Sequence, residues 1–312
     1  MTNQPFLQEV ENDSGLNNLK STQDWLKENK IFIELKLEEH GAIIFKDLPV
    51  KTAEDFDQFV STFNYETFTY EESLSNAVRI NKTDKVFTAN EAPREVEIFL
   101  HHEMAQTPTY PKNIFFFCKS ASETGGETPL CRSDQLYEAL LKADKALVES
   151  FEKFGVIYNS IMSSGDELIS GQGRSWQKTL GVSSKNDAEE KLSKLGYSWN
   201  WIEDDNLSVT TKTLQATKEL GNGQKSFFNQ VIAASLGWKK NSENQIAPVR
   251  FGNGEEIKES YIELISDLAQ SLTLLRSWQD HDILLIDNYR VMHGRKPFAG
   301  NKNREVLVSL TN

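Results

Sequence analysis

Apolar positions along the chain fall first into helical periods and then into strand-like ones. Residues 18–30 and 33–39 recur with helical spacing among many charges, and the 41–45 run that follows reads as a strand. A short helix is expected over 52–63, with Phe56, Phe59, Val60 and Phe63 at the i, i+3, i+4, i+7 spacing of a face packed on a core. Residues 77–87 alternate loosely, 88–93 interrupt them with turn chemistry, and 98–100 lead as a strand into His101. A dense apolar strand at 113–118, a turn at 123–126 and extended chain at 128–131 precede a helix over 133–142. From about 160 to 222 the chain is polar, with a helix at 187–195 and the aromatic stretch Trp199-Asn200-Trp201; such a length between core elements predicts an inserted lid or subdomain. Residues 227–232 return to the core, 258–275 form a long amphipathic helix, and 282–287 and 305–310 are closing strands. The pattern predicts a mainly β, α+β fold: a sandwich or jelly roll with helical decoration. It is expected to be one domain over 1–312, with a polar tail at 1–15.

Composition narrows the function classes. With 38% hydrophobic residues, 18 Phe and 6 Trp, the chain has enough apolar bulk for a packed core. A net charge of −12 and no cluster of Lys and Arg argue against a nucleic-acid partner, since such binding neutralises phosphates with basic side chains. The N-terminus lacks the basic start and apolar stretch of a secretory signal, and the richest apolar runs, 114–118 and 283–286, are too short for a membrane span, so a cytoplasmic protein is expected. Cys118 and Cys131 are too few for a disulfide scaffold and read as ordinary thiols.

The chemistry is concentrated around His101-His102-Glu103. On an extended strand residues i and i+2 share a face, so His101 and Glu103 can reach one ion while His102 points away and reads as a packing residue. A third ligand from a distant strand would complete a two-histidine, one-carboxylate set, the arrangement that leaves positions open on iron(II). His293, just beyond the apolar strand 283–287, is the candidate. Arg304, at the start of the last strand, offers a fork of donors to a carboxylate beside the metal. Asp287 and Asn288 either orient the histidine or simply form a turn.

Four segments taken in order, 101–108, 113–118, 125–129 and 284–298, closely resemble the taurine dioxygenase-like family, over roughly residues 40–310. The His-x-Glu in place of His-x-Asp is similar to the syringomycin-biosynthesis hydroxylase-like and clavaminate synthase-like branch. The resemblance implies a double-stranded β-helix (jelly-roll) core with iron(II) between His101, Glu103 and His293. It also implies 2-oxoglutarate anchored by Arg304 and the Thr128 hydroxyl, with O2 as the other co-substrate. Iron and Arg304 would then balance Glu103 and the dianionic keto acid, giving the neutral total a desolvated pocket favours. Glu103 fills the position that related halogenases vacate for chloride.

The implied reaction is hydroxylation or desaturation of a small substrate with release of succinate and CO2. The substrate class read here is an amino acid, free or tethered to a carrier protein in a biosynthetic route; the rivals are catabolism of a small sulfonate and a non-catalytic metal-binding β-sandwich. Substrate contacts are expected from Thr88, Asn90, Gln106, Arg174, Trp176, Asn229 and Gln230. Arg174 in particular would suit a carboxylate, while Arg295 reads either as a contact or as an ion pair supporting its loop.

Overall fold

The computed structural model describes residues 6–69, 74–75, 77–166, 173–238 and 246–312. Its centre is a six-stranded sheet facing a four-stranded one. In the larger sheet the order is Leu7–Val10, Ala42–Phe45, Ile283–Asp287, Asn113–Ser120, Glu305–Thr311, Phe87–Thr88. In the smaller it is Thr273–Arg276, Thr128–Arg132, Val291–Arg295, Ile98–His101. Apart from the parallel pair at Leu7–Val10, the strands of both sheets pair antiparallel.

Both faces of the larger sheet are covered, which is why its strands read as continuous apolar runs rather than alternating ones. Ile43, Phe45, Phe115, Phe117, Ile283 and Leu285 pack outward against the helices. Their strand neighbours Ala42, Ile44, Ile114, Phe116, Leu284 and Ile286 pack inward with Leu130 and Val291 of the smaller sheet. The smaller sheet turns Leu100, Cys131 and Met292 to a cluster built on the helices Ser133–Ala143, Val231–Gly237 and Glu259–Ser271. The result is an α+β jelly-roll arrangement with helices on both outer faces.

The two expected N-terminal helical segments are one helix, Leu19–His40, started by an Asn18–Ser21 capping box and ended by Gly41 in the left-handed region. Ile31, Phe32 and Leu35 lie on its solvent side, and these exposed apolar residues blur the period that Leu26, Ile33 and Leu37 set. The second helix is Ala53–Ser61, with Phe56, Phe59 and Val60 buried as expected. The expected helix 258–275 stops at Ser271; Thr273–Arg276 leaves it to pair with Thr128–Arg132. The polar tail is likewise not plain tail, since Leu7–Val10 adds an edge strand beside Ala42–Phe45; residues 1–5 lie outside the described residues.

The span 160–222 carries more structure than its polarity suggests. With Val249–Phe251 it forms a second four-stranded sheet through Val156–Met162, Leu207–Thr210 and Ser198–Trp201. The helices Trp176–Leu180 and Lys185–Leu195 pack on that sheet around Met162, Trp176, Leu192 and Leu207. No described residue of this span lines the cavity discussed below. Among the described residues, no helix is long and apolar enough to cross a membrane. Cys118 and Cys131 are buried and free, each thiol pushed up to about 12 by burial.

Candidate metal centre

His101 ends its strand and stands directly across from His293, its register partner on Val291–Arg295. Directly opposed side chains on antiparallel strands lie close, and the two rings are 4.4 Å apart between centroids. His293 is thus on a strand of its own rather than in the loop after Ile283–Asp287. Glu103 lies past the end of the His101 strand, in a turn that Met104 closes with a φ of 59°. The i, i+2 geometry brings it to the same side by that turn, not by a continued strand.

Asn288 fixes this turn from the other chain segment. Its side-chain oxygen accepts from the Glu103 N–H at 2.8 Å, and its amide donates to the carbonyls of Glu103 at 3.1 Å and Pro111 at 2.8 Å. Its own carbonyl lies 2.5 Å from His102 Nδ1, so His102 is a tie between segments rather than a ligand. Asp287 serves its own turn instead, accepting from the Tyr289 N–H and pairing with Arg290.

One ligand atom each from His101, Glu103 and His293 lies within 4.8 Å of the others. The donor set fits a divalent transition metal. His101 Nδ1 is 2.8 Å from the Phe99 carbonyl, which makes it the protonated nitrogen and leaves Nε2 as a lone-pair donor. Burial pushes the His101 imidazolium down to about 4, so the ring is the neutral form that metals bind. Glu103 Oε2 lies 3.4 Å from His293 Nε2, and Oε1 accepts from Arg79 Nη2 at 2.8 Å. Burial raises the Glu103 carboxyl, but Arg79 and the histidines outweigh it and hold the group well below the usual carboxylate range.

The three residues open on one cavity. Thr128 and Arg304 also line it, with Arg304 Nη2 donating to the Gly126 carbonyl at 3.2 Å and its guanidinium 5.3 Å from the Phe298 ring centroid. The Thr128 hydroxyl accepts from the Trp278 indole N–H at 2.9 Å.

Of the expected substrate contacts, Asn90, Gln106, Gln230 and Arg295 line this cavity. Arg295 donates to the carbonyls of Ala92, Pro93 and Val96, holding its loop through carbonyls rather than an ion pair. Burial and the neighbouring Arg304 push it down to about 10, so it stays charged.

Thr88, Arg174, Trp176 and Asn229 are not on the cavity wall. The Thr88 hydroxyl accepts from the Ile80 N–H at 3.0 Å. Arg174 donates to the carbonyls of Ser75 and Lys178, which commits the fork that would suit a substrate carboxylate. Trp176 is buried against Trp201 in the separate cluster, and Asn229 bridges the Ala216 carbonyl and the Val231 N–H at the start of a helix. Arg79 and Trp278 escaped the sequence reading, because a lone arginine in a loosely alternating segment and a tryptophan before a strand carry no local signal. The expected neutral charge total also left out Arg79 and Arg295, both on the cavity wall.

Comparison with known proteins agrees with this architecture. The profile of the "Taurine catabolism dioxygenase TauD, TfdA family" matches residues 7–310. A clavaminate synthase-like protein of Arabidopsis thaliana is 32% identical over 286 residues, covering 91% of this chain and 86% of the relative. Dapdiamide synthesis protein DdaC of Enterobacter agglomerans is 28% identical over 289 residues, covering 88% and 83%. Among solved structures, a putative alpha-ketoglutarate dependent 2,4-D dioxygenase from Burkholderia xenovorans shares the fold at a TM-score of 0.57 and 13% identity, covering 100% of this chain and 96% of that one.

Proposed function

The chain belongs to the TauD, TfdA family of dioxygenases, and from that premise we propose that it is an iron(II)- and 2-oxoglutarate-dependent dioxygenase that hydroxylates a C–H bond of a small amino-acid substrate, free or carrier-bound. The observation that carries this reading is the convergence of His101, Glu103 and His293 on one cavity that Arg304 and Thr128 also line. In this reading His101, Glu103 and His293 hold the iron, and Arg304 and Thr128 hold the distal carboxylate of the keto acid. With both bound, the metal couples decarboxylation of 2-oxoglutarate by O2 to oxidation of the substrate.

The protein's own part is positioning. The Phe99 carbonyl orients the His101 ring and Asn288 fixes the Glu103 turn, so these two ligands need little reorganisation to bind. Glu103 supplies one negative charge to the site, held ionised by Arg79. Ile98, Phe116, Ala233 and Val306 give the cavity apolar walls, which limit water around the reacting groups. Asn90 and Gln230 line the cavity but already bond the Ala92 N–H and the His102 carbonyl, so the unpartnered Gln106 Oε1 is the acceptor best placed to orient a substrate amino group. A biosynthetic role is favoured over catabolism by the name of the dapdiamide synthesis relative and by the His-x-Glu pattern.

The test is anaerobic reconstitution with iron(II) and 2-oxoglutarate. A weak visible charge-transfer band is expected in the wild type and is expected to fade in Arg304→Ala and His293→Ala. A wild-type protein that binds neither component would refute the reading.

A further inference from the structure

Trp278 takes no part in the ligand set and sits in a pinned turn between the strands Thr273–Arg276 and Ile283–Asp287. The turn is fixed by Asp282, whose side chain is 3% exposed and accepts from Arg276 Nη2 at 2.7 Å and from the Gln279 N–H at 3.0 Å. Register pairing of Arg276 with Thr128 brings this turn beside Thr128. There the half-buried indole packs on the inner core and its N–H lies 2.9 Å from the Thr128 hydroxyl.

The polarity of that contact is fixed by chemistry. An indole N–H only donates, whereas a threonine hydroxyl has one proton to give and two lone pairs to receive. Trp278 therefore occupies a lone pair of Thr128, and the hydroxyl proton must point elsewhere. Among the described residues no acceptor takes it, and the Thr128 side chain lines the cavity shared with Arg304. The geometry points to Trp278 as the positioning residue of the co-substrate pocket: by holding one lone pair it biases the Thr128 hydroxyl towards donating to a carboxylate held against Arg304. A freely rotating hydroxyl would present a lone pair to that carboxylate in two of its three staggered rotamers, and the indole removes the one whose proton would face Trp278. The chain indole to hydroxyl to carboxylate also polarises each bond in the same sense. The inference rests on Thr128 and Arg304 being the 2-oxoglutarate anchors.

Trp278→Phe keeps a ring against the core and deletes the N–H. Titration of the anaerobic iron(II) protein with 2-oxoglutarate is expected to show a Kd raised more than about tenfold in Thr128→Val, which deletes a hydrogen bond to a charged group, and about five- to tenfold in Trp278→Phe, which leaves the hydroxyl but frees its rotation. The double variant is expected to be no weaker than Thr128→Val, and iron(II) affinity should stay at its wild-type value. A wild-type Kd in Trp278→Phe beside a weakened Thr128→Val, or additive losses, would overturn the proposal while leaving the anchors standing. A wild-type Kd in Thr128→Val would overturn it by removing the anchor itself. A second measurement leaves Trp278 in place: in zinc-loaded protein labelled with 15N-tryptophan, the indole signal displaced by Thr128→Val should also be displaced by adding 2-oxoglutarate. An indole signal indifferent to the co-substrate overturns the proposal even if Trp278→Phe does not fold.

Discussion

Replacing Arg79 by methionine tests the electrostatics of the site most directly. Arg79 and Glu103 are 2.8 Å apart with side chains 6% and 5% exposed, so neither charge has water to fall back on. Removing one partner of such a pair leaves the other buried and unpaired, at a cost of about 3–5 kcal/mol. Arg79 also lies over the Phe87 ring at 5.4 Å and makes further contacts, whose loss is the same whether or not a metal is bound. The metal-free and metal-loaded proteins should differ in the charge term alone, because a divalent ion gives Glu103 a second counter-charge. Proton uptake caps the penalty. In the wild type the low carboxyl value means a contribution present above the unfolded pKa and lost as pH falls; without Arg79 only the histidines oppose burial, so the group rises from its wild-type value and the variant's loss relative to the wild type grows as pH rises through it. Urea unfolding at about pH 6 and about pH 8, with and without Mn(II), reads all of this. The expected result is a loss of about 3 kcal/mol or more in metal-free protein at the higher pH, smaller at the lower, and reduced by at least half with metal bound. A loss equal in the two metal states and at the two pH values would refute the argument.

Three other outcomes follow from the same geometry. A Cβ on Gly294 would meet the Ile98 carbonyl at 2.4 Å and Pro129 Cγ at 3.1 Å, so Gly294→Ala should force the His101 and His293 strands apart, costing about 1–3 kcal/mol and weakening Mn(II) binding by calorimetry; wild-type Mn(II) affinity would count against it. In metal-free protein, burial pushes His101 down to about 4 and His102 to about 3, below the unfolded value of about 6.5. The unfolded chain therefore binds more protons in that window, and Tm should fall as pH drops from about 6.5 towards about 4; a flat Tm would contradict the assignment. Cys118 and Cys131, buried with thiols near 12, should resist iodoacetamide at about pH 8 until the protein is unfolded, as mass spectrometry would show.

The sequence by itself determined the elements with a strong local period and the residues with a rare chemistry. Phe56, Phe59 and Val60 announce a buried helix face because a helix repeats on its own, and the run at 113–118 announces a strand covered on both sides. His101 and Glu103 were legible because His-x-Glu is a rare pairing of metal-binding residue types within three positions, although the strand alternation expected to align them is replaced by a turn. Where apolar residues sit on a solvent face, as Ile31 and Leu35 do, or where a helix gives way to a strand at Thr273, the local pattern is ambiguous and packing decides. Only the tertiary structure set the register that places His293 across from His101, clamped the Glu103 turn with Asn288, and brought Arg79 to the cavity and Trp278 onto Thr128. It also took Arg174 and Trp176 away, because loops of similar polarity differ only in what they pack against. Periodicity is encoded within a turn or a strand, whereas a site is made of contacts between segments far apart in the chain, and their relative placement follows from the packing of the whole core.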